Sequence, residues 1–134
     1  TSYAQKIALA ESWAYFMEIK IDNYFGATYT LEKFKPLTIP SFVSFNEGWI
    51  PIGLYWDLID DKTDYIELKD INGGIIFSGY DYYNGQVNGI NVQRIYNIIT
   101  NSVCNSILDF KTLFKNQYPN QTQQANDLFL LYNY

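Results

Sequence analysis

Tyr3-Ala4-Gln5-Lys6-Ile7-Ala8-Leu9-Ala10-Glu11-Ser12-Trp13-Ala14-Tyr15-Phe16-Met17-Glu18-Ile19-Lys20-Ile21-Asp22-Asn23-Tyr24 is the stretch whose reading decides the fold. Apolar residues recur at Tyr3, Ile7, Ala10, Ala14, Met17, Ile21 and Tyr24, the alternating four-and-three spacing of one helix face. A second row, Leu9, Trp13 and Phe16, covers much of the opposite side. The expectation is a long first helix buried nearly all round, with Ile7, Ala10, Ala14 and Met17 inside. Glu11, Glu18 and Asp22 fall within roughly 40° of one another at about 100° per residue. A carboxylate line on a buried helix is costly unless each group meets a cation, a donor or a metal. Ala8, Ala10, Ser12 and Ala14 surround Glu11 with small side chains, which lets another backbone come close.

Outward from this helix, the chain of 134 residues is long enough for a core of its own, and it reads as a single helical domain, 1–134. With 48% hydrophobic and 19% aromatic residues it is a folding sequence rather than a disordered one. A formal charge of -5 argues against nucleic acid or an anionic membrane as partner. No apolar run is long enough to span a membrane, and no leader pattern is present. Cys104 is the single cysteine, which excludes an intrachain disulfide and a thiolate metal cluster. The many Asn, Tyr and Phe residues give the composition of an exported bacterial protein, periplasmic, secreted or on the cell surface.

After Tyr24-Phe25-Gly26, where Gly26 can take a left-handed cap, residues 27–45 carry Pro36 and Pro40 and no sustained period. They read as an extended connection anchored by Phe34, Leu37, Ile39, Phe42 and Phe45. Asn46 is a candidate cap for a second helix, with Pro51 in its first turn and Ile50, Leu54, Leu58 and Ile59 as its stripe. Asp57, Asp60, Asp61, Asp64, Glu67 and Asp70 crowd the end of that helix and the chain beyond it. Their spacing is not that of an EF-hand loop, and a solvated turn is favoured over a calcium site. Tyr65 to Lys69 and Gly74 to Phe77, around Asp70-Ile71-Asn72-Gly73, predict a small β-hairpin. Gly79 to Asn91 reads as a loop rich in tyrosine. Three helices complete the chain: one capped by Asn91, one opened by Ser106 with Asp109 in a capping-box position, and one capped by Thr122. Their expected inner residues are Val92, Ile95, Tyr96, Ile99 and Val103; Phe110, Leu113 and Phe114; and Ala125, Leu128, Phe129 and Tyr132. The fold class is therefore mainly α, with about five helices and one possible hairpin.

Glu11-Ser12-Trp13-Ala14-Tyr15-Phe16-Met17-Glu18 resembles the glutamate helix of the gluzincin zinc metallopeptidases, and Trp49 to Ile59 resembles the helix that follows it in some bacterial zincin-like proteins. The resemblance implies the C-terminal helical subdomain of a zincin, with Glu11 as third zinc ligand and one of Tyr80, Tyr82 or Tyr83 holding the oxyanion. It implies zinc in an intact parent protein, a peptide substrate, and an N-terminal segment carrying His-Glu-x-x-His as partner. The sequence departs from the family at a decisive point, because it contains no histidine. This chain alone is expected neither to form a zinc site nor to hydrolyse peptides. The alternative reading is a stand-alone surface or periplasmic binding module with the tyrosine-rich loop as its contact. The surroundings of Glu11 separate the two: a salt bridge to Arg94 favours the module, and an open groove lined by Ala8, Glu11 and Tyr15, with Ala4 and Ile19 nearby, favours the zincin portion. Of these, the sequence favours the zincin portion.

Overall fold

A computed structural model describes residues 3–26, 38–39, 51, 53–63, 65–70, 72, 74–85, 88–132 and 134. In chain order its elements are α1 (Tyr3–Tyr24), β1 (Thr38–Ile39), α2 (Leu54–Asp57), β2 (Tyr65–Asp70), β3 (Ile75–Tyr80), α3 (Val92–Ile99), α4 (Ile107–Gln117) and α5 (Thr122–Leu131). The architecture is mainly helical, with five α-helices among the described residues. A single 3-10 turn, Pro119–Gln121, links α4 to α5.

The predicted hairpin is present. Strands β2 and β3 pair antiparallel, with Tyr65 opposite Tyr80, Glu67 opposite Ser78 and Leu68 opposite Phe77. Thr38 and Ile39, read from the sequence as part of a connection, instead add a short strand parallel to Lys69 and Asp70. The expected anchors Phe34, Leu37, Phe42 and Phe45, and the Asn46 cap, lie outside the described residues.

The second helix is shorter than its apolar stripe predicts. Gly53 holds φ at +100°, a left-handed conformation that few other residues adopt at low cost, and the helix starts only after it. Leu54 and Leu58 still face the core as expected. Two caps are as read: Asn91 Oδ1 accepts from Arg94 N at 3.0 Å, and Ser106 Oγ accepts from Asp109 N at 3.0 Å. Asp109 Oδ2 closes that turn by accepting from Asn105 N at 2.9 Å, one residue before the usual capping-box donor. Thr122 differs from its expected role. It is the first residue of α5, and its hydroxyl donates back to Pro119 O at 2.9 Å.

Helix α1 requires the largest correction. Its buried residues are Ala8, Leu9, Ser12, Phe16 and Ile19. Ile7, Ala10 and Ala14, expected inside, are exposed, and Met17 is half-buried. Two apolar rows compete for the core on this helix, and over its central turns the bulkier one wins. Burying Leu9 and Phe16 removes far more apolar surface than burying Ala10 and Ala14, at about 1.5–3 kcal/mol for each large side chain. Aromatic contacts fix the choice: Trp13 meets Tyr55 edge-on at 5.6 Å between centroids, and Phe16 meets Tyr55 at 6.0 Å. Ser12 permits close approach of α2, and its hydroxyl lies 3.0 Å from both Tyr55 OH and Leu9 O.

Phe110 of α4 is the hub of the core, fully buried among Tyr55, Phe114 and Phe129 at centroid distances of 5.3, 6.1 and 6.0 Å. In α3 only Ile95 and Ile98 are buried, whereas Tyr96 and Val103, predicted inward, are exposed. The helix stops at Ile99, so Val103 falls beyond the period that would have carried it inward.

Candidate functional site

The pairing of β2 with β3 carries the most unusual surface. Because Tyr65 stands opposite Tyr80, their rings lie side by side at 5.0 Å. Two residues beyond Tyr80, the period of an extended chain brings Tyr82 to the same side, 6.0 Å from the Tyr80 ring. All three remain open to solvent, at 51%, 54% and 75% exposure for Tyr65, Tyr80 and Tyr82. Three neighbouring rings exposed together form a patch rather than scattered surface hydrophobes. Gly79 allows this placement: a Cβ there would stand 2.9 Å from Leu131 Cδ2, so β3 lies close on α5.

The intervening Asp81 points the other way and is buried. Its Oδ1 accepts from Tyr83 N at 2.7 Å, a turn that carries Tyr83 inward. Tyr83 packs against Phe114, and its hydroxyl donates to Gln121 Oε1. Burial pushes its phenol above the ordinary value. Of the three tyrosines that the zincin resemblance nominates, Tyr83 is thus a core residue, and Tyr80 and Tyr82 belong to the exposed patch. At the foot of the patch, Tyr80, Tyr82, Gln124, Asp127 and Leu128 line a recess of 50 Å³. Asp127 is exposed there, so the rim combines aromatic faces with a carboxylate.

Beneath this surface lies a cluster that the sequence did not assemble. Asp57, Asp60 and Asp81 each place a carboxylate oxygen within 4.8 Å of the others. Asp57 and Asp81 are buried, Asp60 is half-buried, and Asp61 is exposed as a solvated turn requires. Tyr132 OH donates to Asp57 Oδ2, tying α5 to the end of α2. Gly85 completes the arrangement. Its N donates to Asp60 O at 2.8 Å, and a Cβ on it would come within 2.2 Å of Leu58 O. One oxygen from each carboxylate converges there, three in all against the six to eight that calcium takes, so the cluster alone assigns no ion. Its visible connections join α2, α5 and the segment after β3. Asp81 is distant in sequence from Asp57 and Asp60, which is why the run of acids from Asp57 to Asp70 did not disclose it.

Glu11 lies on the exposed side of α1. It meets neither expectation in full: Tyr15 beside it is exposed and Ala4 half-buried, but Ala8, expected as an open wall, is buried, as is Ile19. Arg94, its expected partner in a closed module, lies over the Tyr118 ring at 5.9 Å. Glu11 and the tyrosines also sit on different layers, since α1 packs against α2 and α4, and β3 against β2 and α5. Of the donors that zinc takes, this chain offers mainly carboxylates. It has no imidazole, and its one thiol, Cys104, is buried, with its pKa pushed up to about 11, first by loss of solvent and then by Asp109. No reaction step through zinc can be built from these residues.

Among the described residues, no helix is long and apolar enough to cross a membrane. Comparison with protein-family models, with curated proteins and with solved structures yields no match.

Proposed function

We propose that this chain is a protein-binding module and that Tyr65, Tyr80 and Tyr82 form its contact surface. The observation that supports this reading is the side-by-side exposure of the three rings on the hairpin and the segment after it. A helical core holds the patch in place, so little order is lost when a partner docks. Aromatic faces beside the Asp127 carboxylate, on a chain with formal charge -5, suit a segment bearing arginine or lysine. A guanidinium stacks on a tyrosine face and pairs with a carboxylate through the same group.

A hexa-arginine amide peptide, titrated while tyrosine ring resonances are followed by NMR, tests the assignment. The expected result is saturable shifts at Tyr65, Tyr80 and Tyr82, with the Tyr65 shift lost when Tyr80→Ala is combined with Tyr82→Ala. Shifts spread evenly over tyrosines throughout the chain, with that of Tyr65 unchanged in the variant, would mean only diffuse charge attraction and would refute the surface.

The second reading, a C-terminal portion of a gluzincin, is supported by the exposure of Glu11 alone. On that reading Glu11 contributes one carboxylate to zinc held chiefly by residues outside this chain. The chain alone then binds zinc weakly, because one carboxylate is a poor site without imidazole or thiolate. Micromolar zinc affinity by calorimetry, abolished in Glu11→Gln, would show instead that this chain builds a site by itself.

A further inference from the structure

Among the described residues, the face of α1 turned away from the core is a heptad seam. Tyr3, Ile7, Ala10, Ala14, Met17, Ile21 and Tyr24 repeat at alternating four- and three-residue intervals across the 22 residues of the helix. The sides of the helix that face the core carry Ala8, Leu9, Ser12, Phe16 and Ile19. At about 100° per residue these centre almost opposite the seam. The seam is open over most of its length: Tyr3 is 81% exposed, Ile7 41%, Ile21 50% and Tyr24 85%, whereas Met17 is half-buried against the core. A strict seven-residue apolar repeat turned to solvent is the pattern of a helix that pairs with another helix.

Charge selects the partner. Glu11 and Glu18 flank the seam on one side, and Lys6 and Lys20 on the other. In two parallel copies related by a two-fold axis along the helices, the acidic flank of one meets the basic flank of the other. The five-residue step from Lys6 to Glu11 is the offset of a parallel interhelical pair. In two antiparallel copies each flank meets its own equivalent, so Glu11 and Glu18 face acidic residues and lysine faces lysine. Lys20 is already held over the Trp56 ring at 4.7 Å, which leaves Lys6 and Glu11 to set the direction.

We infer that α1 pairs in parallel with α1 of a second copy of this chain, through the Tyr3-to-Tyr24 seam, with Lys6 of each copy bound to Glu11 of the other. The domains then lie on opposite outer sides of the helix pair, because each is attached to the face of α1 away from the seam. Ala10 and Ala14 bring the helices close but bury little area, so the dimer is weak and forms with rising concentration. This pairing is independent of the tyrosine surface, which lies on another layer of the fold.

Sedimentation velocity over a wide concentration range tests it, with circular dichroism confirming that each variant is folded. The wild-type chain is expected to pass from monomer to dimer. Lys6→Glu weakens the dimer by about tenfold, since two symmetry-equivalent attractive pairs become like-charge contacts. Lys6→Glu combined with Glu11→Lys restores it. Tyr24→Cys tests direction: in parallel copies the two thiols are adjacent and oxidise to a disulfide-linked dimer, whereas an antiparallel pair centred on Ala14 holds them about 30 Å apart. A chain that stays monomeric throughout overturns the inference. So does a dimer that the charge reversal fails to rescue, or one in which Tyr24→Cys does not cross-link.

Discussion

At the scale of single residues, two glycines and one aspartate show how closely the hairpin and its following segment are seated on the helices. Gly79 lies against Leu131, where only the movable end of a side chain stands in the way of a Cβ. Gly85 lies against backbone, with Leu58 O and Ile59 Cα at 2.2 and 2.5 Å from the position a Cβ would take. Backbone cannot swing aside as a leucine methyl can, so the two sites should respond differently to the same added methyl. Gly85→Ala is expected to lower stability by about 1–3 kcal/mol or more, the range for overpacking, and Gly79→Ala by clearly less. Urea denaturation of the two variants is the check, and equal losses would show that the Gly85 contact is soft. Gly85 is not legible in the sequence as a packing residue. It sits in a run of Gly, Asn and Tyr that reads as loop, and its role depends on a contact with residues some twenty-five positions earlier in the chain. Asp81 is hidden for the same reason: its neighbours in sequence are tyrosines, and its neighbours in space are Asp57 and Asp60.

At the scale of elements, the sequence is legible wherever a short-range interaction decides the outcome. The Asn91 and Ser106 caps, the end of α4 at Tyr118-Pro119, the hairpin, and the inner face of α5 all rest on contacts within a few residues or on one unambiguous apolar stripe. Helix α1 has two stripes, and periodicity alone cannot say which one the rest of the chain covers. The regular heptad is the clearer pattern, yet the core took the row with larger side chains over the central turns. That assignment has a direct test. At concentrations where the chain is monomeric, Ile7→Glu should change stability by no more than about 0.5 kcal/mol, as expected for a surface position. Phe16→Ala should cost about 3–5 kcal/mol, because it removes a ring packed between Trp13, Tyr55 and Trp56. The reverse ranking in thermal or urea unfolding would restore the heptad face to the interior. In α2 a single residue overrides the pattern, since Ile50 to Ile59 carries helical spacing but the left-handed Gly53 interrupts it. The tyrosine patch is half legible: the crowding of Tyr80, Tyr82 and Tyr83 is visible in the sequence, but only the strand register adds Tyr65 and removes Tyr83.

At the scale of the whole molecule, the aromatic richness of the core carries a pH dependence. Burial raises the phenol of Tyr55, Tyr83 and Tyr134 above the ordinary value of 10.0, and it raises the thiol of Cys104 from 9.0 to about 11. For Tyr55 the hydroxyl of Ser12 opposes that shift by favouring the ionised form, but desolvation is the larger effect. Each of these groups stays neutral in the fold at a pH where the unfolded chain would release its proton. Their contribution to stability is therefore complete below the unfolded values and is lost as pH rises through the folded ones. Lys111 has the opposite sign, because burial lowers its pKa from 10.5, and the fold is relieved of that strain as the amine deprotonates. Four groups act in one direction and one in the other, so stability should hold to about pH 9 and then fall with growing slope. Every proton released only on unfolding adds about 1.4 kcal/mol per pH unit to that slope. Urea midpoints measured across the alkaline range should trace this curve. Tyrosinate absorbance should contain a late phase that coincides with loss of helical circular dichroism, since the buried phenols cannot ionise until the core around Phe110 opens. If all thirteen tyrosines titrate in one phase while the helical signal persists, the core admits water and the buried aromatic network is looser than its geometry requires.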